Sequence, residues 1–255
     1  MPSLREIDNS MINRTFHWRM KNGSALGLAN SSLVQFPLYK ATQQEYFDDF
    51  MESGSLRIGT LWDFRRTDIY GNSVGDRAEG VASCRVKLGA SEAWIANAER
   101  DQFIFCASSK LDWNYFQDEG YDAVYRINSS AFFLAIAEKL AEQHPLDMML
   151  ISPVAYTSQI AAEEYAKHRL SHILLENLSR SQGVFPAALV KLLSYSGQNE
   201  VRAIFQETID RNKSKYKPLK NDNDLAEFME LKSEVEPVII HVPEAIKHIT
   251  PCTRT

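Results

Sequence analysis

The alternation of apolar and polar positions is clearest in KLLSYSGQNEVRAIF, from Lys191 to Phe205. Side chains of a strand point alternately to its two faces, so Val201, Ala203 and Phe205 share one face while Gln198, Glu200 and Arg202 share the other. One face suits a core and the other carries charge. Two readings follow: a solvated sheet face with a same-side Glu/Arg pair, or a carboxylate held over a cleft by its neighbours.

Upstream, FPLYKAT from Phe36 is a short apolar strand pattern that ends at Thr42. Thr42 and Glu45 have the spacing of a capping box, and Tyr46, Phe47, Phe50 and Met51 form a helical apolar stripe that Gly54 closes. SLRIGTL then reads as a strand with Leu56, Ile58 and Thr60 on one side. Arg65 to Gly80 holds three glycines and six charged residues without an apolar period. It is a long loop, the kind of segment that often carries function.

Val81 to Gly89, Asp101 to Ser109 and Asp122 to Ile127 all have strand character, and their succession predicts a largely antiparallel meander. Ser129 or Ser130 caps a helix whose Phe133, Ile136, Ala137 and Leu140 line one face before Pro145. MMLISPVAY is a further strand with Pro153 at a bend or edge. Gln159 to Arg180 is the longest helical pattern, closed by Gly183 and Pro186, and Val235 to Val242 is the last strand. Separate runs of strands and helices give an α+β chain, with residues 1–35 as a polar, loop-like N-terminal leader and 36–255 as a single domain.

At 255 residues with 44% hydrophobic content the chain can build a proper core, and a net charge of -5 argues against coating nucleic acid through bulk charge. Three widely spaced cysteines, no signal-peptide pattern and no apolar run of membrane-spanning length read as a reducing, cytoplasmic protein with no membrane partner. His168 and His172 lie four apart with Glu164 and Glu176 a turn away, a geometry able to hold a metal, but a pair of surface histidines is the simpler reading. The run Arg211, Lys213, Lys215, Lys217 and Lys220 could touch phosphates, although it also reads as a solvated loop. Cys106 has no histidine near it in sequence and reads as packing rather than as a nucleophile.

LYKAT at Leu38, SGSLRIGTLWDFR leading into GDRAEG, FIFCASSKLDWNYF and QNEVRAIF occur in an order that resembles a widespread bacterial domain family of uncharacterised function. Its members typically carry LYKY or LYHY, an Asn-Asp-Pro-x-Glu loop, a Ser-Leu-Ser strand followed by Asp and Trp, and a final Glu-x-Glu-x-Arg. The match covers roughly residues 36 to 210, and the order of the motifs carries it. Ala41 stands where the family has an aromatic, Gly75-Asp76-Arg77 where it has Asn-Asp-Pro, and Gln198 where a first Glu is common.

That family in turn is similar to ADP-ribosyltransferases, which implies a mostly antiparallel split sheet with flanking helices and NAD as a substrate. Carried over by position, the resemblance puts Tyr39, Lys40 and Ser108 with Glu200 around a nicotinamide-ribose site. Glu200 then stabilises positive charge on the ribose, Gln198 accompanies it, and Arg202 orients the carboxylate or binds the acceptor. Asp76, Glu79 and Asp112 shape the pocket, and Trp113 stacks on a ring or simply packs. The implied class is an NAD-cleaving or ADP-ribosyl-transferring enzyme, a bacterial toxin or phage-defence effector. Its acceptor would be a protein or nucleic acid, with room for a regulatory partner. Two alternatives are a non-catalytic nucleotide or partner-binding module, and a metal-dependent nuclease built on Asp76, Glu79, Asp112 and Glu200.

Overall fold

A computed structural model describes residues 16–21, 24–30, 36–66, 81–88, 91–98, 102–157, 186–207 and 235–254. The chain passes through β1 (Phe16–Lys21), β2 (Ser24–Asn30), β3 (Leu38–Thr42), α1 (Gln44–Ser53), β4 (Ser55–Thr60), β5 (Val81–Leu88), β6 (Ser91–Ala98) and β7 (Phe103–Ser108). It continues through α2 (Trp113–Asp118), β8 (Ala123–Ile127), α3 (Ala131–Ala141), β9 (Leu146–Pro153), β10 (Ala155–Thr157), β11 (Val190–Leu192), β12 (Glu200–Glu207), β13 (Val238–His241) and β14 (Ile249–Pro251). Short 3-10 helices occupy Asp63–Arg65, Pro186–Leu189, Leu193–Gln198 and Pro243–His248. The class is α+β, and no helix of the described residues is long and apolar enough to cross a membrane.

Eight strands lie along one open path in the order β14, β8, β3, β7, β12, β9, β1, β2, and every pairing in it is antiparallel. The path forks at β7. Tyr39 of β3 pairs with Ser108 at one end of β7, while Gly59 and Thr60 of β4 pair with Ile104 and Phe103 at the other. β13 lies on the outer edge of β4, and β5 with β6 forms a separate hairpin.

The fork overturns the expected meander. β8 is adjacent to β3 and not to β7, because β3 and β4 between them occupy the edge of β7 that a meander would give to β8. Two further strands lie where a leader was expected: β1 pairs with β9 and with β2, so NGSALGLANSS is largely strand and not loop. The signal was Asn22-Gly23 between the two strands, the dipeptide most favoured between hairpin strands. The strand at Ser91 to Ala98 is another addition, and the last expected strand is shorter, starting at Val238.

Each face of the sheet packs on its own core. On one face Phe103, Phe105, Val201, Ala203 and Phe205 meet the helices; Phe105 makes edge contacts with Phe132 and Phe133 of α3, and Phe50 of α1 packs on Tyr125. Full burial of aromatic side chains of this size contributes about 2–3 kcal/mol each, so this is the main apolar core. On the other face Ile104, Leu150 and Ile204 pack against Leu61, Ala188 and Leu189. Beyond this second core, toward the N-terminal end of β12, lies Glu200.

α1 departs from its expected start. Thr42 stays in β3 opposite Ala123, and the N-cap is Gln43, without a side-chain cap bond. The first helical N–H of Gln44 instead donates to Asp122 Oδ1 at 2.6 Å, so the residue just before β8 performs the cap. Of the expected stripe Phe50 is buried, Phe47 is half-buried, and Tyr46 and Met51 are exposed, because one sheet edge covers only a narrow face of the helix. Gly54 closes it as anticipated, with φ 77° and its N–H donating to Phe50 O at 2.8 Å.

A Cβ on Gly54 would lie 2.5 Å from the backbone N of Pro243, whereas one on Gly120, at φ 82°, would meet nothing within 4 Å. Gly120→Ala is expected to cost about 1–2 kcal/mol for the left-handed backbone alone. Gly54→Ala should cost at least about 1 kcal/mol more, since the Pro243 backbone must also shift. Urea denaturation of both variants reads this difference directly, and equal costs would contradict the Gly54–Pro243 contact.

Candidate functional site

β12 is a central strand, flanked by β7 and β9, and its first residue is Glu200. Register places Glu200 opposite Ser108 and Arg202 opposite Cys106, while Ser108 is opposite Tyr39. Residues directly opposite in a ladder share a face. Tyr39, Ser108 and Glu200 therefore form one row across three strands, with Cys106 and Arg202 in the next row of that face.

This face is not solvated. Glu200 is 6% exposed and Arg202 1% exposed, which removes the reading of a surface Glu/Arg pair. Arg202 Nε donates to Glu200 Oε1 at 2.7 Å and its Nη2 reaches Oε2 at 3.3 Å. Lys191 Nζ lies 2.8 Å from Oε2, and the Cys106 thiol also hydrogen-bonds the carboxylate. Arg202 Nη1 in turn donates to the carbonyl of Ala188. Burial by itself would raise the Glu200 pKa, but the Arg202 guanidinium and the Lys191 ammonium outweigh it and hold the carboxyl well below the usual carboxylate range. Glu200 is therefore held as a carboxylate anion at neutral pH.

Gln198 arrives differently from expectation. It is the last residue of the 3-10 helix Leu193–Gln198, and Asn199, with φ 46°, separates it from β12, so it does not alternate with Glu200 on one strand. It still joins the site, because its Oε1 accepts from Lys191 Nζ at 2.9 Å. Tyr156 Oη accepts the Glu200 N–H at 2.8 Å, and burial pushes this phenol up to about 12. Lys191 and Tyr156, opposite each other in the parallel β10–β11 pair, are the site residues that sequence reasoning missed. For Lys191 the available signal was a lone charge inside the apolar run AALVKLL.

The remaining candidates divide. Ser108 is buried, and its hydroxyl donates to Lys110 O at 2.9 Å and accepts from Lys110 N–H at 3.1 Å, which fixes the turn after β7. Lys40 alternates to the opposite side of β3 from Tyr39, its Nζ 5.0 Å from the centre of the Phe105 ring in the fork between β3 and β4. Burial lowers its pKa, while Cys106 and Glu200 pull it back up. Asp112 caps α2, accepting from Tyr115 N–H at 3.2 Å and pairing with Lys110 Nζ at 2.8 Å, and the Lys110 hydrogen bond holds its carboxyl below its ordinary value. Trp113 opens α2 and is half-buried.

Cys106 is a free thiol whose pKa is driven up by burial and by the neighbouring Glu200 charge, so it stays protonated and is not an activated nucleophile. Asp76 and Glu79, the body of the loop Arg65 to Gly80, the helix Gln159 to Arg180 with His168 and His172, and the run Arg211 to Lys220 lie outside the described residues. Among the described residues no group of three or more His, Cys, Asp or Glu is placed to hold a metal ion.

Removing one member of a buried ion cluster leaves the others uncompensated. Glu200→Gln is expected to destabilise the protein by about 3–5 kcal/mol near neutral pH. The folded Glu200 pKa lies below the unfolded value of about 4.3, so its contribution is complete above that pH and disappears as pH falls through the folded value. Denaturant titrations of wild type and Glu200→Gln should therefore converge as pH drops below about 4; a gap that is constant with pH would contradict the ionised carboxylate. No protein family, curated protein or solved structure matches the chain.

Proposed function

We propose that this protein is an NAD-cleaving enzyme of ADP-ribosyltransferase-like architecture that uses Glu200 as its electrostatic catalyst. The observation that carries this reading is the row Tyr39, Ser108, Glu200 across three adjacent strands, which joins three separate motif positions at one buried, ionised carboxylate. The fork where β3 and β4 separate along β7, beside that row, supports the split-sheet architecture.

The chemistry asks for such a group. The bond between ribose C1′ and the nicotinamide nitrogen breaks, its electron pair leaves with the neutral nicotinamide, and an oxocarbenium-like cation develops on the ribose. A carboxylate already ionised stabilises that charge without reorganising. An acceptor oxygen or nitrogen then bonds to C1′ and releases its proton; with water as the acceptor the product is ADP-ribose. Glu200, held far below the carboxylate range, serves as this fixed anion and not as a proton donor. Arg202 orients it, and Lys40 in the fork supplies a compact cation for a phosphate or ribose oxygen. A role as a cytoplasmic toxin or defence effector with a macromolecular acceptor follows from the resemblance.

A second reading, a nucleotide-binding module without turnover, is favoured by one observation: both oxygens of Glu200 are already bound by Arg202 and Lys191. Incubating the purified protein with NAD and cell extract separates the two. Wild type is expected to release nicotinamide, and Glu200→Gln, assayed where near-UV circular dichroism shows it folded, should lose about 100-fold or more. Binding of NAD without release in wild type would favour the module, and neither binding nor release would end both readings.

A further inference from the structure

The segment 186–198 lies over the Glu200 end of β12. Its first half is anchored: Ala188 and Leu189 are buried against Ile104, Leu150 and Ile204, and the Ala188 carbonyl accepts from Arg202. The second half is more exposed and meets Tyr115 of α2 through Gly197 and Gln198. The 3-10 helix Leu193–Gln198 has no buried residue, and Leu193 is 61% exposed. Between the halves stands Lys191, on a three-residue strand paired only with β10 among the described residues. Its ammonium is 2.8 Å from Glu200 Oε2, 2.9 Å from Gln198 Oε1 and 5.3 Å from the centre of the Tyr195 ring.

We infer that Lys191 is an autoinhibitory latch, an internal cation that occupies on Glu200 the place that the cationic ribose would take during NAD cleavage. This rests on the proposed function and concerns the regulation of the same site. A carboxylate acts on a developing cation only if that cation is its close neighbour, and here an ammonium with a full positive charge already sits on Oε2. Arg202 alone neutralises Glu200 and leaves its carboxylate oriented; Lys191 adds a second positive charge, which opposes a third at the same position. The exposed turn carrying Tyr195 and Gln198 is the part of the cover that withdraws with Lys191, breaking the hydrogen bond between Gln198 and Tyr115, and Asn199, in the left-handed region with its carbonyl accepting from Ser109 N–H, forms the joint between it and β12.

The test compares nicotinamide release from NAD by wild type, Lys191→Met, Lys191→Arg and the double variant Lys191→Met with Glu200→Gln, with hydrogen exchange measured on the same proteins. Release by Lys191→Met is expected to exceed wild type by about tenfold or more, as when the competent population rises by that factor. Lys191→Arg, which keeps the charge, should not show this gain, and the double variant should be inactive. Exchange at residues 192–198 should rise in Lys191→Met while Val201 to Phe205 keep their protection. If Lys191→Met does not fold, Lys191→Gln, which retains a donor without the charge, reads the same effect. Equal or slower release from the uncharged variants, with wild type active and Glu200-dependent, would overturn the latch alone. Unchanged exchange at 192–198 would also overturn it, and no release from any variant would end the latch together with the NAD reading.

Discussion

A carboxylate, a guanidinium and an ammonium share the buried face of one end of β12. Moving any one of these charges out of water costs several kcal/mol, and the cost is met only if each finds its opposite at hydrogen-bond distance. Glu200 does so twice, through Arg202 on its own strand and Lys191 on β11. The consequence is geometric: β12 and the segment over it can come together in only one register, since a slip by a single residue would turn Glu200 toward the apolar core of the other face.

That constraint sets the surroundings of the site. With β12 fixed, its ladder to β7 brings Ser108 beside Glu200, and the single pair between Ser108 and Tyr39 brings β3 to the same row. β4 joins β7 further along, so the sheet opens beside the row and Lys40 stands in the opening. Apolar packing on the other face, around Phe105 and α3, holds β7 and β12 against the helices. The same contacts that stabilise the carboxylate also occupy it, and this links the stability of the site to its control.

Alternation in the sequence was enough to place Val201, Ala203 and Phe205 on one face and Glu200 with Arg202 on the other, because strand period is a local property. It was not enough to say what covers the second face. The cover comes from Ala188, Leu189 and Lys191, which are close in sequence but return over β12 through a turn that leaves no periodic trace. Gln198 kept the right neighbours for the wrong reason: it reaches the site from a 3-10 turn, and the left-handed Asn199 breaks the strand period. The same limit applies to topology. Individual strands such as β3, β4, β7 and β8 were legible, whereas the insertion of β3 between β7 and β8 depends on long-range pairing that no short window contains. Asp112, legible as a site candidate from its motif, proves to be a helix cap, an equally good use of an aspartate before Trp113.

The most direct check of the charged cluster is the ionisation of Glu200 itself, followed by its side-chain carboxyl carbon resonance in 13C-labelled protein as pH is lowered from neutrality. A resonance that stays at its ionised position through the ordinary carboxylate range, about pH 4–5, and moves only with acid unfolding is the expected result. A titration step within that range in the folded protein would mean that Arg202 and Lys191 do not hold the carboxylate, and with it would fall both the fixed anion and the latch that covers it.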